Sequence, residues 1–255
     1  MKILGRAAAA AAAIALLGAG ALAQQLAQQP AQRPDIRAAT DASRGDALTN
    51  PALKGPGVLK FIGVRKGGRV ADIVAGRFTT ALAAAVGPKG RVYAVMPTEI
   101  IRIHPELKAM VEARAKDPAY ANVEYSTPAI DAMVLPAGLD AVFIRQNYHD
   151  LHVRFMGPAD VAAFNRKVFA ALKPGGVFVV LDHVAAPGTD PAIATNRLHR
   201  IDPAQVKQEV TAAGFVFDGE SKILANASDA HDKFVLDPAI LGKTDQFLYR
   251  FRKPK

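Results

Sequence analysis

From residue 69 to residue 181 the hydrophobic period switches back and forth along the chain. The runs at 69–74, 91–95, 123–126, 140–144 and 177–181 are short and mostly apolar, as buried strands are. Between them, 79–86, 105–116 and 158–172 have helical composition. In the last of these, Val161, Phe164, Val168, Phe169 and Leu172 fall near helical spacing. A further helix is expected at 203–213, with Pro203 in its first turn and Gly214 as its stop. Strands at 215–221 and 247–251 complete the set, and 58–62 ends a short helix stopped by Gly63. Alternation of this kind calls for a mainly parallel α/β sheet with helices on both faces, because parallel strands need crossover connections. Strands that are apolar throughout agree, since they are buried on both sides. Ligands of such sheets bind at the carboxyl ends of the strands, near the reversal of strand order. Chemistry is therefore expected at those ends.

The start of the chain reads as an address. Lys2 and Arg6 precede an apolar, alanine-rich run at 7–17, and Ala21-Leu22-Ala23 supplies a small-x-small cleavage pattern. These are the three parts of a secretory signal peptide, and the run is short for a membrane span. Cleavage is expected after Ala23, which divides the chain into a signal (1–23), a linker and N-terminal extension (24–50) and one domain (51–255). The expected location is periplasmic or secreted, with no membrane span left after cleavage. The chain has no Cys, which excludes a disulfide framework, thiolate metal ligands and a cysteine nucleophile. Its formal charge of +9 falls to +7 once Lys2 and Arg6 leave with the signal. The remaining basic residues are dispersed, with no aromatic-interleaved patch, so nucleic acid is not an expected partner.

The strand ends carry a resemblance. Asp72-Ile73-Val74-Ala75-Gly76 closes the first strand; the turns Val86-Gly87-Pro88-Lys89-Gly90 and Leu172-Lys173-Pro174-Gly175-Gly176 and the late strand pair follow in order. This arrangement resembles class I S-adenosylmethionine-dependent methyltransferases. Finer segments are Gln146-Asn147-Tyr148-His149-Asp150-Leu151-His152, Leu181-Asp182-His183 with Ala186-Pro187-Gly188, Leu198-His199-Arg200-Ile201-Asp202, and Gly242-Lys243-Thr244-Asp245-Gln246-Phe247. On these, residues 35–255 look like a family of exported bacterial predicted methyltransferases. The resemblance implies a Rossmann-like three-layer αβα sandwich with a seven-stranded, mainly parallel sheet and an antiparallel last strand. It implies S-adenosylmethionine as cofactor, with Asp72, Gly76, Met96, Glu99, Pro128 and Asn147 on the cofactor side.

The chain also departs from that pattern. Gly76 is followed by Arg77-Phe78-Thr79, so the glycine loop is shorter than usual by about two residues and sets a cation beside the cofactor's place. The acid that normally binds the ribose hydroxyls after the second strand is replaced by Met96, with Glu99 a few residues on. After the third strand, Ser126-Thr127-Pro128 stands where an acid usually meets adenine, with Asp131 further on. Unpaired polar groups cost on the order of 1–3 kcal/mol each, and S-adenosylmethionine is made in the cytoplasm. Weak or absent cofactor binding is therefore expected.

The substrate side is expected to hold a histidine and carboxylate rim. His149, Tyr148 and Asp150 are the catalytic candidates, and Asp182, His183 and His199 the substrate-side candidates. Either His149 or His183 suits a general base, with Asp150 or Asp182 orienting the imidazole. Two His and two Asp also suit a divalent cation, but no spacing here is a recognised ligand motif, so no metal is expected. Three readings stand in order: a methyltransferase acting on a small molecule, a non-catalytic binding module of the same fold, and a metal-assisted hydrolase. The polar loop holding Asn226, Asp229, His231 and Asp232 reads as a surface turn, and Lys243-Thr244-Asp245 as a simple change of direction.

Overall fold

A computed structural model of the protein describes residues 45–255. The expected signal peptide and most of the expected linker lie outside the described residues. Seven strands form one sheet: β1 (Arg69–Ile73), β2 (Arg91–Val95), β3 (Val123–Ser126), β4 (Leu139–Arg145), β5 (Leu172–His183), β6 (Val216–Ser221) and β7 (Gln246–Arg252). Their order is β3-β2-β1-β4-β5-β7-β6. The strands β1 to β5 pair in parallel, and β7 runs antiparallel between β5 and β6. The α/β class, the seven strands and the antiparallel last strand are as expected.

The helices are α1 (Gly55–Ile62), α2 (Thr79–Val86), α3 (Thr98–Ile103), α4 (Glu106–Lys116), α5 (Val161–Ala171) and α6 (Pro203–Ala212). Strand residues alternate between two apolar clusters. Ala71, Ile73, Val142, Ile144, Phe178 and Val180 join Phe164, Val168, Val206 and Val210 of α5 and α6. Val70, Phe143, Val179 and Leu181 join Val58 and Ile62 of α1 and Leu82 and Val86 of α2. That is the three-layer arrangement: every central strand is covered on both faces, which is why its sequence is apolar throughout. Among the described residues no helix is long and apolar enough to cross a membrane.

Three local readings change. Residues 98–103, for which no element was expected, form helix α3. Helix α5 starts at Val161 rather than at residue 158, because the Asp160 carboxylate caps the Ala163 N–H at 2.8 Å. The segment Lys173-Pro174-Gly175-Gly176, read as a turn, is drawn into the start of β5, with a register shift between Leu139 and Ala141 on β4.

Candidate functional site

The carboxyl ends of β1, β4 and β5 lie side by side, because β1 pairs with β4 and β4 with β5. The chain turns sharply after two of them. Val74 after β1 and Gln146 after β4 both have φ of 55°, in the left-handed region. A β-branched residue there is strained. The Gln146 turn is held by its N–H on Leu181 O at 2.7 Å and its side chain on Gln246 at 2.9 Å. It delivers Asn147 to Asp150 onto the end of β5, where Asp182 is fully buried.

Asp182 organises the rim. Its carboxylate accepts from the His149 N–H at 2.9 Å and the His183 N–H at 2.8 Å, and lies 2.9 Å from His149 Nδ1. A buried carboxylate needs such donors, and with them it is a fixed anion. His149 Nε2 then faces His199 Nδ1 at 3.2 Å and Asp150 Oδ1 at 3.2 Å. Asn147 donates to the other Asp150 oxygen at 2.6 Å, while Oδ1 is buried and accepts no hydrogen bond. His199 reaches the site from a π-turn (Ala194–Leu198) and is itself left-handed at φ 53°, a conformation His tolerates better than most residues.

Charge follows geometry. Burial works against a charged His149, but Asp182 and Asp150 outweigh it and hold its pKa up to about 10. Burial and the neighbouring His149 charge push His199 down to about 4. The same two causes keep His183 well below the usual histidine range, with its Nδ1 on Thr244 Oγ1 at 2.8 Å. The rim thus carries one imidazolium set between carboxylates, with two neutral imidazoles near it.

Of the catalytic candidates, His149 and Asp150 meet as expected, and Tyr148 does not join them. Tyr148 is wholly buried among Phe164 and Phe178, with its hydroxyl taken by Asn165 at 2.8 Å and Glu209 at 3.0 Å. It is a core residue, and His152 also turns to Glu209, at 3.2 Å. Asn147, expected against the cofactor, instead orients Asp150.

The other cofactor-side candidates are largely committed within the chain. Asp72 is buried and accepts from Thr79 Oγ1 at 2.6 Å, which ties β1 to the first turn of α2. Burial raises its pKa to about 6. Met96 is buried, with its N–H on Ser126 O at 2.9 Å. Both oxygens of Glu99 lie on the Ile130 N–H, at 3.1 and 3.2 Å, and Pro128 O accepts from the Thr98 N–H at 2.9 Å. A Cβ at Gly76 would meet only Val74 O, at 3.7 Å. Arg77, expected to crowd the cofactor, directs its Nε to Gly45 O at 2.8 Å. Two cavities of about 540 and 510 Å³ lie elsewhere, near Pro51 and Ile223 and near Asp190 and Gln208.

Two features escaped the sequence reading. Arg145, at the end of β4, is half-buried with its guanidinium over the Phe78 ring at 5.7 Å. Its guanidinium makes no hydrogen bond or ion pair among the described residues. Burial and then Arg77 lower its pKa to about 9, against the pull of Asp182 and Asp72. The second feature is Arg200, fully buried and bonded to Asp229 through both nitrogens at 2.7 and 3.1 Å, with Val184 O and Lys233 O at 3.0 Å each. Asp229 is therefore an anchor of the 222–245 loop and not a surface residue. Its long-range pairing leaves no periodic signal.

Comparison with known proteins adds the fold. No protein-family model matches the chain, and no curated protein matches it. Solved structures do. A SAM-dependent methyltransferase from Aquifex aeolicus superposes with a TM-score of 0.55 at 21% identity, over 85% of this chain and 96% of that one. The [4+2]-cyclase SpnF does so with a TM-score of 0.53 at 16% identity, over 84% of each chain. An S-adenosylmethionine-dependent methyltransferase from Mesorhizobium loti follows with a TM-score of 0.51 at 18% identity, over 78% of this chain and 97% of that one. A cyclase among them shows that the architecture does not dictate one reaction. At these identities the likeness is one of fold, and the fold is the Rossmann-like architecture of class I S-adenosylmethionine-dependent methyltransferases.

Proposed function

We propose that this protein is an S-adenosylmethionine-dependent methyltransferase acting on a small molecule, with a weakened hold on its cofactor. The observation that carries the reading is Arg145: a half-buried guanidinium at the β4 strand end that lies over the Phe78 ring and, among the described residues, makes no hydrogen bond or ion pair. A desolvated cation of this kind suits a ligand carboxylate, such as the one on the cofactor's methionine moiety. The ribose end fits poorly, because Met96 offers no acceptor and Glu99 is spent on Ile130. When bound, the cofactor would supply an electrophilic methyl group. His149, held by Asp182, contributes positive charge next to the acceptor, which favours an acceptor that reacts as an oxyanion. Replacing His149 with Ala is expected to remove turnover; unchanged turnover would refute its role.

Calorimetric titration of the full chain with S-adenosylhomocysteine tests the cofactor reading. Two unmet ribose hydroxyls at about 1–3 kcal/mol each, with tenfold in affinity per 1.4 kcal/mol, weaken binding by roughly 25-fold or more, which takes a low-micromolar site to a dissociation constant above about 100 μM. Arg145→Ala is expected to abolish the heat. A low-micromolar constant would overturn the weakened site. No heat at millimolar ligand would favour the second reading, a non-catalytic binding module, which the burial of Met96 supports. The proposal includes export: the leader at 1–23 supports a periplasmic or secreted protein beginning at Gln24. Intact mass of the exported form checks this, and retained Met1 would contradict it.

A further inference from the structure

We propose that His149 Nε2, His199 Nδ1 and Asp150 Oδ1 form a three-ligand site for a divalent transition-metal cation of the zinc type. The three donor atoms converge, with separations of 3.2 Å (His149 to His199), 3.2 Å (His149 to Asp150) and 3.8 Å (His199 to Asp150). Donors about 2.1 Å from a tetrahedral zinc stand about 3.4 Å from one another, and the observed separations bracket that value. No other described cluster of His, Asp and Glu converges in this way.

An independent observation points to a ligand. Asp150 Oδ1 is a buried carboxylate oxygen that accepts no well-formed hydrogen bond, with His149 Nε2 its facing group at 3.2 Å, and leaving such an atom without a donor is costly. Its position is not accidental, because Asn147 holds the opposite oxygen at 2.6 Å and so aims Oδ1 at the two imidazoles. His149 has the support typical of a metal-binding imidazole: its Nδ1 faces the buried Asp182 carboxylate at 2.9 Å, and the cation takes Nε2 by displacing its proton. Two imidazoles and one carboxylate select zinc, iron, cobalt or nickel over calcium or magnesium. The His199 side chain is 27% exposed while those of His149 and Asp150 are at most 6% exposed, so the cation enters past His199, where further coordination positions stay open. The inference reverses the expectation of no metal. It shares His149 with the methyl-transfer reading but uses neither Arg145 nor Asp72, so cofactor binding and metal binding are measured separately.

The test is zinc alone. Full chain stripped with chelator and then dialysed is titrated with zinc chloride by calorimetry, and bound metal is counted by elemental analysis. The expected result is one zinc per chain. Asp150→Asn preserves shape, and His199→Asn preserves a residue tolerant of the left-handed backbone; each is expected to weaken binding by at least about tenfold, and Asn147→Ala by about tenfold. His231→Ala, outside the three-donor cluster and facing Asp245 instead, is expected to bind as the wild type does. Cobalt is expected to give visible absorption bands that His199→Asn loses, with far-UV circular dichroism confirming the fold of each variant. Wild-type binding no tighter than that of His199→Asn overturns the site, as does stoichiometric binding that only His231→Ala removes. Because no S-adenosyl ligand is present, failure here leaves the methyl-donor reading standing, and the reverse holds too.

Discussion

At the scale of single residues, buried charges decide how this protein responds to its surroundings. Asp72 is held at a pKa of about 6 against an ordinary value of 3.8. A raised carboxyl pKa means that the folded form grips its proton more tightly than the unfolded chain. Its stabilising contribution is complete below pH 3.8 and is lost as pH rises through 6. The shift corresponds to about 2–3 kcal/mol. Asp72→Asn keeps an acceptor for Thr79 and cannot ionise. Urea unfolding at pH 4 and pH 7 is expected to show the variant gaining on the wild type by about that amount at the higher pH. Arg200 sets a different test. Asp229→Ala leaves a fully buried guanidinium without its carboxylate, and a loss of about 3–5 kcal/mol is expected in the same assay. A loss below about 1 kcal/mol would mean that Arg200 is served by Val184 O and Lys233 O alone.

At the scale of elements, the turn after β1 is the informative one. Val74 occupies a left-handed backbone that glycine adopts freely, whereas Gly76 two residues later does not need its freedom. Val74→Gly is therefore expected to raise stability by about 1 kcal/mol, the strain of roughly 1–3 kcal/mol less the entropy of a glycine. Gly76→Ala is expected to be neutral or stabilising by about 0.5 kcal/mol. If it nevertheless abolishes nucleoside binding, the glycine is there for a ligand's close approach. These elements also show what a sequence can convey. Periodicity revealed the strands and most helices, because burial on two faces writes itself into composition. Adjacency of β4 and β5 was enough to foresee His149 beside Asp182. Tyr148 misled because it sits next to His149 in sequence, whereas a sharp turn sends the two side chains to different layers. The partners of Glu99 and Arg200 lie about 30 residues further along the chain, and no local pattern encodes such pairing.

At the scale of the molecule, two apolar layers sandwich a sheet that fixes one rim, and the rest of the surface carries a dispersed positive charge. Ligands that bind this rim stabilise the whole fold by mass action. With a dissociation constant near 100 μM, 1 mM S-adenosylhomocysteine contributes only about 1.4 kcal/mol, and the melting temperature is expected to rise by no more than about 5 °C. A much larger rise in a thermal melt would show that the ribose end is better served than Met96 and Glu99 suggest.

Strand β7 has a consequence for how the protein is made. It follows every other strand in the chain, yet it lies inside the sheet, between β5 and β6. Until the ribosome has passed Arg252, β5 and β6 each present a bare edge, and the final layer has no template on which to close. If the chain is exported as proposed, late completion is an advantage: a polypeptide whose sheet cannot close until its last strand is made stays threadable for as long as its synthesis lasts.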